Sequence, residues 1–156
     1  MTIDRKTLAN SLDETRRDAV ALARSLTPED MKTPMRDGTW TVKDMLIHMA
    51  TSEAGLVNTA KRIAGGQPHA SPGFDIHLFN QRQVEKNQET SVDDLLARLE
   101  VSRAEMHKTL EQMTEEELGV QGFMSSGTPI DVLGVFKRIG DHEQEHCRDI
   151  RAAIGR

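Results

Sequence analysis

Leu8, Leu12, Ala19, Leu22 and Leu26 return at spacings of three, four or seven, with charged residues between them. That period puts one apolar stripe on a helix over about residues 3 to 26. Thr27-Pro28-Glu29-Asp30 reads as a cap followed by proline at the first helical position, opening a short turn. The stretch MKTPMRDGTW is a loop, because Pro34 and Gly38 break the periodicity. Thr41 with Asp44 is a capping box in which Asp stands for Glu, and a second long helix follows from Val42 to Ala64, ended by Gly65-Gly66.

A weaker helical pattern passes through Ile76, Phe79 and Val84, after the glycine- and proline-rich loop GGQPHASPG. Ser91 with Asp94 caps a third long helix marked by Leu95, Leu96, Leu99, Met106, Leu110 and Met113. Thr114 with Glu117 caps a short turn, GFMSSGTP is a loop, and a last helix starts near Ile130 and runs to Ile154. No strand alternation is expected anywhere. Four long helices and one shorter segment predict an all-α fold, a four-helix bundle in one domain spanning residues 1–156. The connection from Gly65 to Thr90 is too long for a hairpin, so the second and third long helices are expected to run parallel through a long crossover.

Composition agrees with helices: aromatic residues make up 3% of the chain and Tyr is absent, so aliphatic residues and Met must fill the core. A net charge of −5 argues against nucleic acid as a partner. A lone cysteine, Cys147, excludes an internal disulfide framework. The polar start MTIDRKTLAN is unlike a secretory signal, and no apolar run approaches a membrane span, so a cytoplasmic protein is expected.

The candidate chemistry lies in histidines. His142 and His146 stand four apart on the last helix, the spacing at which two imidazoles share a metal ion. At roughly 100° per residue, Val132, Val135, Ile139, Ile150 and Ala153 form one stripe, with His146 in its middle and His142 near its edge. The plain alternative is a pair of core histidines satisfied by polar neighbours; a metal explains the pair more economically, since neutral imidazole is the usual ligand of Zn and Ni. His48 flanks the core stripe Met45, Met49, Leu56, Ala60, Ile63 of the second long helix and is the third candidate ligand. If those two helices are antiparallel neighbours, the three rings reach the same height.

Glu53 falls in the middle of that stripe. A buried carboxylate there needs an imidazole N–H, a cation or a metal-bound water as partner, and it is the candidate general base or support behind the ligands. The alternative is a Glu that reaches solvent. Asn80, Gln83 and Asn87 are either the polar lining of a substrate pocket or a solvated helix edge. His69, His77 and His107 read as surface or packing residues, and Cys147 as a small, partly buried thiol pointing away from the metal.

TWTVKDMLIHMATSE resembles the W-[ST]-x-x-[DE]-hydrophobic-hydrophobic-x-H signature of the DinB-like (DinB/YfiT-like) family, carried by Trp40, Thr41, Asp44 and His48. DHEQEH resembles that family's HxxxH on its final helix. The resemblance implies an up-down-down-up bundle, often dimeric, with one Ni or Zn ion on His48, His142 and His146. It also implies kinship with thiol-dependent S-transferases that use bacillithiol or mycothiol, and with a mycothiol-dependent maleylpyruvate isomerase. The expected function is therefore a metal-dependent S-transferase or hydrolase acting on a small molecule, with a low-molecular-weight thiol as a further cofactor. The rival expectations are a non-catalytic metal- or ligand-binding bundle serving a stress response, and a helical interaction module without metal.

Overall fold

A computed structural model describes residues 4–156. Its elements are α1 (Arg5–Ser25), α2 (Pro28–Lys32), α3 (Val42–Ala64), α4 (Ile76–Lys86), α5 (Val92–Gln112), α6 (Glu115–Leu118), β1 (Gln121–Phe123), β2 (Pro129–Asp131) and α7 (Val132–Ile154). The start of the first helix expected at residue 3 lies outside the described residues. The capping boxes expected at Thr41–Asp44 and Thr114–Glu117 are complete in both directions, and Thr27–Asp30 forms a third. These caps satisfy orphan N–H groups of a first turn, which is why the boundaries follow the sequence signals.

One expectation fails. GFMSSGTP is not a plain loop: β1 and β2 pair antiparallel with Gly122 opposite Ile130. Three-residue strands are too short to print an alternation. The hairpin packs so tightly on α3 that a Cβ at Gly122 would stand 2.7 Å from Ile63 Cγ2. It also displaces the start of α7 from Ile130 to Val132, with Asp131 as N-cap.

Side-chain reach fixes the helix directions. Arg5 bonds the Leu110 carbonyl and Arg16 the Leu99 carbonyl, so α1 and α5 are antiparallel. Lys43 bonds Thr90 O and Lys61 pairs with Glu105, so α3 and α5 run parallel across the crossover. Thr15 bonds Glu143 and Asp18 pairs with Arg151, so α1 and α7 are parallel. Met45 of α3 shares one apolar cluster with Ile150 of α7, while Ile63 shares the other with Val132, so α3 and α7 are antiparallel. The bundle is up-down-down-up.

A charged layer separates the two apolar clusters. Each long helix contributes one member: Arg16, Glu53, Arg103 and Glu143, all at 9% exposure or less. Arg16 pairs with both glutamates, and so does Arg103. Thr15 donates to Glu143, and the guanidinium groups also donate to the Leu99 and Leu12 carbonyls. Two cations and two anions with filled hydrogen-bond capacity make burial of four charges tolerable.

Candidate metal centre

Antiparallel packing of α3 on α7 brings the three histidines together just beside the charged layer. His48 Nε2 stands 3.3 Å from His142 Nε2, which stands 2.9 Å from His146 Nε2. All three rings offer a nitrogen to one point, within 4.8 Å of one another. Donors held about 2.0–2.1 Å from a tetrahedral ion would be about 3.3 Å apart, so the spacing fits a divalent metal.

Protonation fits as well. Burial is the main cause that lowers the pKa of His48 to about 4 and that of His142 to about 2, and the neighbouring imidazoles add to it. Burial also lowers His146, opposed by Asp149. The rings are therefore neutral at pH 7 and present lone pairs, the form a metal needs. In the tautomer that ligates a metal, with the protons on Nδ1, these distances set lone pair against lone pair, which a cation relieves; with a proton on one Nε2 the same contact is an N–H···N hydrogen bond. With Nε2 turned inward, Nδ1 of His48 and of His146 is buried without a hydrogen bond. Asp149 Oδ2 lies 3.5 Å from His146 Nδ1, placed to orient that ring.

Local structure holds His48. The Thr41–Asp44 box starts α3, and Trp40, just before it, packs its ring 5.3 Å from the His48 ring. The Trp40 indole N–H donates to Gln81 Oε1 at 3.0 Å, tying α4 over the same corner. On α7 the buried face runs through Phe136, Ile139, Glu143, Cys147 and Ile150. His142 and His146 therefore lie on its flank, half-buried, rather than His146 in its middle. The reason is that α7 packs on α1 as well as α3, which turns Phe136 and Cys147 inward.

Beside the histidines lies a cleft of about 580 Å³, walled by His48 and His142, by Phe74, Phe79 and Asn80 of the crossover, and by Met124 and Ile130 near the hairpin. That volume suits a small molecule.

The other expected residues divide. Glu53 is buried at 4% exposure and does not reach solvent; its partner is a cation. Both its oxygens are held by Arg16 and Arg103, and neither bonds an imidazole. Of Asn80, Gln83 and Asn87, Asn80 lines the cleft, whereas Asn87 bonds the Gln83 carbonyl and Arg98 at the end of α4. His69 lines the cleft rather than lying apart from it, His77 is exposed, and His107 pairs with Asp13 at 2.6 Å. Cys147 is 1% exposed, its thiol pushed up to about 12 by burial, and it stands outside the histidine group. Sequence reasoning missed Arg16, Arg103 and Glu143. The signal was present: each interrupts an apolar stripe, as in Leu95, Leu99, Arg103, Met106.

The family model described as the DinB superfamily matches residues 11–150. This chain belongs to the DinB superfamily. A protein of Oceanobacillus iheyensis named "putative metal-dependent hydrolase" is 22% identical to this DinB-superfamily chain over 149 residues, covering 96% of it and 80% of the relative. Two solved structures share the fold. YfiT from Bacillus subtilis, described as a "probable metal-dependent hydrolase with an unusual four-helix bundle topology", aligns with a TM-score of 0.73 and 19% identity, over 99% of this chain and 91% of that one. A mycothiol-dependent maleylpyruvate isomerase aligns with a TM-score of 0.78 and 12% identity, over 96% of this chain. The DinB-superfamily chain spans 63% of the length of that isomerase.

Proposed function

We propose that this DinB-superfamily protein is a divalent-metal-dependent enzyme acting on a small molecule, with His48, His142 and His146 as the ligands of one Zn or Ni ion. What carries the reading is the convergence of three neutral imidazole nitrogens, two of whose rings, His48 and His142, line a ligand-sized cleft. Three protein ligands leave further coordination positions for water or substrate, the pattern of catalytic rather than structural sites. A bound ion would acidify a coordinated water or thiol and polarise a substrate oxygen.

The chain's own residues set the rest. His48 and His142 face the cleft, Asp149 and Trp40 orient rings, and the exposed Phe74 and Phe79 give the cleft an apolar rim. No Asp or Glu lines the cleft among the described residues. Glu53, tied to two guanidinium groups, is left out of proton transfer in this reading and supports the site from the charged layer. That distribution favours transfer of a low-molecular-weight thiol such as bacillithiol or mycothiol, because an ion held by the three histidines would lower the pKa of a thiol and no carboxylate base would be needed. The names of two relatives favour the second reading, hydrolysis. A cytoplasmic homodimer belongs to the same proposal and is checked by light scattering of the purified protein.

The deciding experiment is elemental mass spectrometry of protein purified without tag or chelator, beside His48→Ala and His146→Ala. About one Ni or Zn per chain, lost in both variants, is expected, followed by screens for thiol transfer and hydrolysis. Folded native protein that takes up no metal on titration would overturn the enzyme reading.

A further inference from the structure

The cleft is long as well as large, and its α3 wall is uneven in chemistry. His48, Ser52, Gly55, Leu56 and Arg62 all face it. They recur near helical spacing on one side of α3, and the fourteen steps from His48 to Arg62 rise about 21 Å along the axis. The histidines mark one end and a guanidinium marks the other.

Arg62 has no carboxylate partner among the described residues. Its Nε donates to the Pro68 carbonyl at 2.8 Å, which steadies the group and leaves the two Nη nitrogens without a protein acceptor. The other arginine on the wall, Arg138, is already neutralised by both oxygens of Glu145 at 2.9 Å. With no acidic residue on the lining, Arg62 is the cleft's one uncompensated arginine among the described residues.

Between the two ends stands Gly55, in the middle of a helix, where glycine is unfavourable relative to alanine. A Cβ there would meet no atom within 4 Å, so no packing neighbour requires the glycine. Gly55 is exposed, and its missing side chain leaves the middle of the α3 wall of the cleft flat. Phe74 and Phe79, tilted against each other with ring centroids 5.6 Å apart, supply an apolar wall to the same cleft.

We infer that the cleft takes an elongated carboxylic acid whose reacting end lies at the three histidines, whose apolar middle passes over Gly55, and whose carboxylate pairs with Arg62. One free guanidinium matches one singly charged planar group, which it can grip through two parallel N–H donors. The inference rests on the metal reading above and adds to it the length and charge of the substrate.

The test uses zinc-loaded protein and calorimetric affinities for hydroxamic acids, which ligate the metal. Acetohydroxamic acid is the short probe; the long probes carry a terminal carboxylate, or its methyl ester, on polymethylene chains graded in length. Affinity should peak at one chain length, and there the free acid should bind about tenfold more tightly than the ester. Arg62→Gln should bring acid and ester level without changing acetohydroxamic acid. Gly55→Leu should weaken every long probe, leave the short one unchanged, and raise the thermal midpoint of the ligand-free protein. Binding of acetohydroxamic acid with no gain from chain or carboxylate would overturn this inference alone. No binding of acetohydroxamic acid to folded protein shown to carry its zinc would mean that the ion has no open position, and would overturn the catalytic-metal reading and the inference with it.

Discussion

At the scale of single residues, burial decides the behaviour of the titratable groups. In metal-free protein His48 and His142 stay neutral down to about 4 and about 2, whereas in the unfolded chain they take protons near the ordinary value of 6.5. As pH falls below 6.5 the unfolded state binds protons that the folded state refuses. The stability is therefore full above that value and lost as pH drops through about 4. Urea midpoints of chelated protein should fall between pH 7.5 and pH 5, and His48→Gln should shrink that fall; a flat profile would count against neutral, buried rings. Cys147, buried with its thiol pushed up to about 12, should resist thiol reagents in the native state and react at once in denaturant. Breaking the charged layer is costly for a different reason. Glu53→Gln leaves a guanidinium buried without its counter-charge, and a loss of about 3–5 kcal/mol is expected in urea unfolding.

At the scale of elements, what positions His48 is the start of α3. The Thr41 side chain accepts from Asp44 N while the Asp44 carboxylate accepts from Thr41 N, closing the first turn two turns before the ligand. Thr41→Ala should cost about 1 kcal/mol and weaken metal binding along with it, read by denaturation and by competition with a chelating dye. The hairpin depends on one close approach: Gly122→Val must push Ile63 aside, and it should lower the thermal midpoint by more than a comparable change at Gly119, where a Cβ would meet its nearest atom at an ordinary 3.6 Å. The four caps and the long helices were legible because a cap is a local event written within four residues. The hairpin was not, because three-residue strands gain their stability from packing on α3 rather than from their own pattern.

Across the whole molecule, the charged layer sets register. One charged residue from each long helix pairs with the two of opposite charge at mid-height, so a slip of any helix by a turn would strand a charge in an apolar layer. The histidines are brought to one height by the same register. Bound metal, which recognises only the folded arrangement, should stabilise the bundle by about 4 kcal/mol at a thousandfold excess over its dissociation constant. The measurement is the thermal midpoint with zinc against chelator, with His146→Ala as the variant that shows no difference.

The sequence by itself determined the four long helices, the caps at Thr27, Thr41, Ser91 and Thr114, the crossover and the helix faces that carry the three histidines, because each rests on spacing within its own chain segment. It also placed Glu53 on a buried face, since a period of 3.6 residues says which side of a helix turns inward. Tertiary structure alone decided what Glu53 meets there. Arg16 and Arg103 come from helices far away in sequence, and a helical period carries no information about a partner's identity. The same limit applies to the cleft: Arg62, Phe74 and Met124 share a wall only because the crossover and the hairpin fold back over α3. Orientation of α7 was likewise a tertiary matter, settled by packing on two helices at once, which turned Cys147 inward and left His142 and His146 on the flank, with His142 lining the cleft.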